Sequence, residues 1–135
     1  HMIKKTIKYE DFDGNQREED HWFNLNKVEL SELQLDTPGG FTKYAERISK
    51  EQNEKALFDI FKKLILKSYG EKSDDGKYFR KSPEIVSNFE STNAFEALIT
   101  EFENEKAFID FFIGTLPKDM QNELKQKIAS GEIKF

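Results

Sequence analysis

Apolar residues alternate at the start of the chain and recur at helical spacing through the rest. The densest stretch is Glu54–Gly70, EKALFDIFKKLILKSYG, in which Leu57, Phe61, Leu64 and Ser68 share one helical stripe. Phe58, Ile60, Ile65 and Leu66 widen that stripe beyond half the circumference, so neighbours must cover this helix on most sides. Gly70 reads as a left-handed stop after Tyr69. This helix is expected to be the element around which the others pack.

Ile3–Phe12 and Arg17–Leu25 carry period-two alternation around Asp13-Gly14-Asn15, the signal of a β-hairpin. Ile3, Ile7 and Tyr9 fall on one face of the first strand, His21, Phe23 and Leu25 on one face of the second. A loop of Asp13, Gly14 and Asn15 sets Ile7 opposite His21, Ile3 opposite Leu25 and Lys8 opposite Asp20, whereas a two-residue Asp-Gly loop would set Ile7 opposite Asp20. The odd loop matches the apolar faces and is the expected one.

Helical segments follow. Asn26 with Glu29 forms a capping box for a short helix carrying Val28, Leu30, Leu33 and Leu35, ended by Thr37-Pro38-Gly39-Gly40. Thr42 opens a helix that turns Tyr44, Ala45 and Ile48 inward. After Gly70, Glu71–Lys77 reads as a polar loop with an Asp75-Gly76 turn, returning Tyr78 and Phe79 to the core. Ser82-Pro83 starts another helix, Asn93–Phe102 forms the next, and Asn104 caps a third that holds Phe108, Ile109, Phe111, Phe112, Ile113 and Leu116. Pro117 begins a last amphipathic helix with Met120, Leu124 and Ile128 on one face, and Glu132–Phe135 is expected to fray. The expected fold class is α+β, mostly α, as one domain over residues 1–135: a hairpin over 3–25 and a helical body of about six helices over 26–131.

Composition narrows the function classes. The chain of 135 residues has no cysteine, which removes disulfides, thiolate metal sites and cysteine nucleophiles. Charged residues make up 35% with a net charge of −5, but Lys and Glu are interleaved, giving no basic face for nucleic acid. No apolar run reaches membrane-spanning length and no secretory signal opens the chain, so the cytoplasm is the expected compartment and no membrane partner is expected. His1 before Met2 reads as a cloning remnant. Thirteen Phe against two Met and one Trp is a heavy aromatic load for so charged a chain, and rings not needed in the core become contact anchors.

Chemistry finds no foothold. His21, beside Trp22 in a strand, has no partners for a triad or a metal centre and reads as half-buried. Asp11, Asp13 and Asn15 begin like a calcium loop, but Gln16 and Trp22 stand where Gly and Glu are required. Gly39-Gly40 lacks the Lys and Ser or Thr of a phosphate cradle. No catalytic, cofactor or metal residue emerges, and a non-enzyme is expected. The feature above background is Phe108–Leu116, whose apolar density either fills the interior or leaves a partner groove.

The segments KTIKYEDFDGN (Lys5–Asn15), FNLNKVEL (Phe23–Leu30), TPGGFTKYAERI (Thr37–Ile48) and LILKSYGEKSDDGKYFRKS (Leu64–Ser82), in this order and spacing, resemble the tail assembly chaperones of long, non-contractile-tailed phages and prophages of Gram-positive bacteria. FEALITEFENEKAFIDFFIGTLP looks like that family's more variable C-terminal helices. The resemblance implies a non-catalytic protein in the host bacterial cytoplasm that keeps the tape measure protein soluble, helps tail-tube subunits gather along it, and is absent from the finished virion. Self-association is a further expectation. A groove for an amphipathic helix is expected from Trp22 on the outer hairpin face with Phe108, Phe111, Phe112 and Leu116. A structural tail or head-tail component, and an acidic phage protein binding a host factor, are the competing readings.

Overall fold

A computed structural model describes residues 2–131; His1 and the tail residues 132–135, expected to fray, lie outside the described residues. β1 (Ile3–Glu10) and β2 (Gln16–Phe23) form the expected antiparallel hairpin. Helices α1 (Lys27–Asp36), α2 (Phe41–Lys50) and α3 (Glu54–Ser68) follow, then two short strands, β3 (Tyr69–Lys72) and β4 (Phe79–Arg80). The chain continues through α4 (Pro83–Glu90), α5 (Asn93–Glu101), α6 (Glu105–Thr115) and α7 (Lys118–Ala129). The architecture is α+β and mostly α, with seven helices among the described residues.

The hairpin register departs from the expected one by two residues. Ile3 lies opposite Phe23, Ile7 opposite Glu19 and Lys8 opposite Glu18. The loop has three residues as expected, but they are Phe12, Asp13 and Gly14, closed by the Asp11 N–H donating to the Asn15 carbonyl at 2.9 Å. Gly14, at φ +82°, takes the last loop position, where such loops need a left-handed residue. The Asp11 carboxylate fixes the choice by accepting from the Asp13 and Asn15 N–H groups, both at 2.9 Å. Parity is kept, so Ile3, Ile7 and Tyr9 still share the inner face with His21 and Phe23. On the outer face Asp20 accepts from Thr6 Oγ1 at 2.7 Å instead of meeting Lys8.

Gly70 is not a helix stop. α3 ends at Ser68, Tyr69 is already extended, and the segment expected to be a loop is a second hairpin that extends the sheet to the order β1-β2-β3-β4. A Cβ at Gly70 would lie 2.8 Å from both the Arg80 carbonyl oxygen and the Phe79 ring, so glycine is required there for close approach rather than for a left-handed turn. Tyr78 stays half-exposed at the end of the turn.

The core forms where the inner face of the hairpin meets α4, α5 and α6: Ile7, Phe23, Phe89, Phe95, Leu98, Phe102 and Phe111, with Ile65 entering from α3. Aromatic rings fill much of it. Phe23 meets Phe111 edge-on at 5.0 Å, Phe102 lies 4.6 Å from Phe111, and Tyr69 stacks on Phe89 at 4.1 Å. Only the C-terminal half of α3 is enclosed, through Leu64, Ile65 and Ser68; its first half lies against α2, which in turn packs on α1.

The helix starts follow local rules. Asn26 and Glu29 complete the expected capping box, Ser82 caps α4 with Pro83 at its first position, and Asn104 caps α6. α2 is the exception. It starts at Phe41 rather than being capped by Thr42, and its first N–H is met from α1, where Gln34 Oε1 accepts from the Phe41 N–H at 2.9 Å.

Candidate protein-binding surface

The five residues expected to line one groove are placed in three different surroundings. Phe111 is 5% exposed and Leu116 4% exposed, both in the interior, so neither offers a ring or side chain to a partner. The periodicity of α6 hides this, because the helix is apolar on both sides and the hairpin covers the side that holds Phe111 and Gly114, against Phe23 and Ile3.

Trp22 does lie on the outer sheet face, as expected. Phe23 beside it points into the core against α6, so alternation turns Trp22 away from α6 and from any groove containing Phe108 or Phe112. Its ring is flanked by Lys4 and Lys72, whose ammonium groups lie 5.9 and 5.1 Å from its centroid.

Phe108 and Phe112 do come together. One turn apart on α6, their rings are 6.2 Å apart, and Phe108 stacks on Phe61 of α3 at 3.5 Å. All three are partly accessible. Phe58, one turn before Phe61 on the same side of α3, is 51% exposed and extends the stripe. The heavily apolar α3, expected to be covered on most sides, therefore contributes ring surface to solvent.

A second apolar feature lies between α2 and α3: a shallow depression of about 160 Å³ lined by Thr37, Phe41, Tyr44, Ala56, Asp59, Ile60 and Lys63. Arg47 stands over the Tyr44 ring at 5.2 Å, while Asp59 is paired with Lys55 at 3.1 Å. Beside it, α1 leaves Val28 66% and Leu35 84% exposed. Exposed apolar residues on α1 and α3 were missed because their spacing matches that of core positions.

Titratable groups also border a concavity at the hairpin tip, where Tyr9, Asp11, Phe12, Asp13, Arg17, Thr92 and Asn93 line about 280 Å³. Tyr9, Asp11 and Arg17 are each committed to a neighbour. Arg17 donates to Asp11 at 2.6 Å and to Glu19 at 3.3 Å, and the Tyr9 hydroxyl also donates to Glu19. The Arg17 bond holds the Asp11 carboxyl below its ordinary range, the Tyr9 bond does the same for Glu19, and both leave the acids as weak bases. Burial pushes His21 down, with its Nδ1–H donating to the Glu19 carbonyl at 3.2 Å. Among the described residues no group of three or more His, Cys, Asp or Glu is placed to hold a metal ion, and no helix is long and apolar enough to cross a membrane.

The family model described as phage tail assembly chaperone matches residues 2–134. The chain belongs to that family. Neither a curated protein nor a solved structure matches it. In a tail assembly chaperone the partly exposed rings of α3 and α6 become the features to explain.

Proposed function

We propose that this tail assembly chaperone is a non-catalytic protein that binds the tape measure protein, keeps it soluble and helps recruit tail-tube subunits during tail assembly. It acts in the cytoplasm of a Gram-positive host, for a siphovirus-type phage or prophage, and is absent from the finished virion. The observation that carries this reading is the family match over residues 2–134. The Phe58, Phe61, Phe108 and Phe112 stripe supports it, since a helix-binding surface needs accessible apolar anchors on rigid elements, and both helices are anchored in the core through Ile65 and Phe111.

Co-expression with the tape measure protein, followed by size-exclusion chromatography with light scattering, tests the reading. A soluble complex that forms only when both are present is the expected result. A tape measure protein that is soluble alone and never co-elutes with this chain would overturn it. Mass spectrometry of purified virions separates the chaperone, which should be missing, from a structural tail component, which should be found.

A further inference from the structure

Trp22, the one tryptophan of the chain, takes no part in the aromatic stripe of α3 and α6. It lies on the outer face of the sheet, where Lys4, Thr6 and Lys8 of β1 and Glu18 and Asp20 of β2 are all exposed. Directly opposite Trp22 on β3 is Gly70, and residues opposite one another share a face. The Phe79 ring occupies the space into which a Gly70 side chain would project, so Phe79 is on the outer face too. Two half-buried rings therefore border one stretch of open sheet.

The charges on this face are unevenly shared. Toward the hairpin tip, Lys8 lies opposite Glu18 and the two offset each other. At the Trp22 end the outward cations are Lys4, opposite Trp22 on β1, and Lys72, two residues beyond Gly70 on β3. They reach the Trp22 ring from the strands on either side of it. Neither is well neutralised. Lys4 approaches Asp20 only to 4.0 Å, while that carboxylate accepts from Thr6 at 2.7 Å, and Lys72 donates, among the described residues, only to the Ser73 carbonyl at 3.4 Å. In a chain whose net charge is −5, this is a local excess of positive charge around an aromatic surface.

Spacing narrows the occupant further. β1 and β3 are two strand spacings apart, about 10 Å, and alternate residues of an extended segment project to one side about 6.6 Å apart. A complementary segment thus has one apolar side chain with a carboxylate two residues to either side. Two lysines with Asp20 between them are too few for a phosphate chain, which is held by a longer row of cations.

We propose that the outer sheet face around Trp22 docks an acidic, extended segment of a partner protein, its apolar side chain resting on the Trp22 and Phe79 rings and its flanking carboxylates meeting Lys4 and Lys72. The contact is separate from the aromatic stripe on α3 and α6 and stands whether or not that stripe holds the tape measure protein.

Because Trp22 is the only tryptophan, its fluorescence reports on this face directly. The full chain is titrated with a blocked peptide built of Glu-Thr-Leu-Thr repeats, with its Lys-Thr-Leu-Thr counterpart, and with oligothymidylate. The expected result is a saturable change in Trp22 emission with the acidic peptide alone, weakened several-fold by raising salt from about 0.05 to 0.5 M. Lys4→Glu with Lys72→Glu should weaken that binding more than about tenfold, and Lys4→Gln with Lys72→Gln should fall between the two. Both side chains belong to the outer face, so the native circular dichroism spectrum should be kept. No emission change with the acidic peptide up to millimolar concentration overturns the proposal. Equal binding of the acidic and basic peptides, or acidic-peptide binding unchanged by the double charge reversal, overturns it too. Tighter binding of oligothymidylate than of the acidic peptide overturns it in favour of a nucleic-acid face.

Discussion

Lys81 Nζ donates to the Glu29 carboxylate at 2.5 Å, joining the end of the second hairpin to the first turn of α1. The same ammonium donates to the carbonyl oxygens of Asn24 and Lys67, both at 2.7 Å. It gathers the exit of β2, the last turn of α3 and the capping box of α1 at one point. Burial lowers the Lys81 pKa, and the bond to the Glu29 carboxylate opposes the shift. Lys81→Met should strand the Glu29 carboxylate and two carbonyls, lowering unfolding free energy by about 2–4 kcal/mol. Lys55→Met, which breaks an exposed pair with Asp59, should cost under about 0.5 kcal/mol. Urea denaturation followed by circular dichroism would check both.

Gly70 supports a second prediction. Its missing side chain lets the Phe79 ring and the Arg80 carbonyl close over the β2–β3 pairing at Trp22. Since the carbonyl belongs to the paired strand and cannot swing aside, Gly70→Ala should destabilise by about 1–3 kcal/mol. Gly76→Ala meets no atom and tests only backbone strain at φ +73°, so it should cost less, about 1 kcal/mol. Thermal unfolding of the two variants would rank them.

The same glycine shows where reading the sequence stops working. Asn26 with Glu29, Ser82 with Pro83 and Asn104 could be read as helix starts because a cap is satisfied within three residues of itself. Gly70 follows a strongly helical run and looked like its stop, since β3 and β4 have only four and two residues and too little alternation to register. The Gln34 cap on α2 was hidden because the accepting Oε1 lies seven residues before the Phe41 N–H that it satisfies. Of the candidate-site residues on α6, Phe108 and Phe112 stay partly accessible while Phe111 between them is buried. Three rings in five residues are indistinguishable until the hairpin covers one side of α6. Phe58 and Leu35 were missed for the opposite reason, that nothing covers them.

Phe111 and Phe112 offer a direct comparison. Phe111 meets Phe23 and Phe102 in the core, so Phe111→Ala should cost about 3–5 kcal/mol and alter the circular dichroism spectrum at moderate temperature. Replacing both rings by Ser should therefore unfold the chain rather than remove a binding site from an intact fold. Phe58→Ser, at a half-exposed position, should leave stability within about 1 kcal/mol while reducing co-elution with the tape measure protein. A Phe58→Ser chain that co-elutes as well as the native one would exclude this part of the stripe from the contact.

His21 gives the fold a pH dependence whose sign is set by burial. The ring lies 5.3 Å from Phe89 and 6.3 Å from Tyr69, and desolvation lowers its pKa from the ordinary 6.5, against weaker opposing effects of the Glu19 carbonyl and the Glu19 and Asp20 charges. The unfolded chain then binds a proton that the folded chain resists, so the stabilising contribution of neutral His21 is present above pH 6.5 and is lost as pH falls through the folded value. Asp11 and Glu19 act in the same direction but lower, since their folded pKa values lie below the ordinary 3.8 and 4.5 and their contribution disappears only in that more acid range. Unfolding free energy should thus stay level from pH 8 to 7, fall on acidification below about 6.5, and fall again below about 4.5. His21→Phe should remove the first decline and keep the second. If the variant keeps both, the first decline belongs to another group and the His21 ring is better solvated than its aromatic neighbours imply.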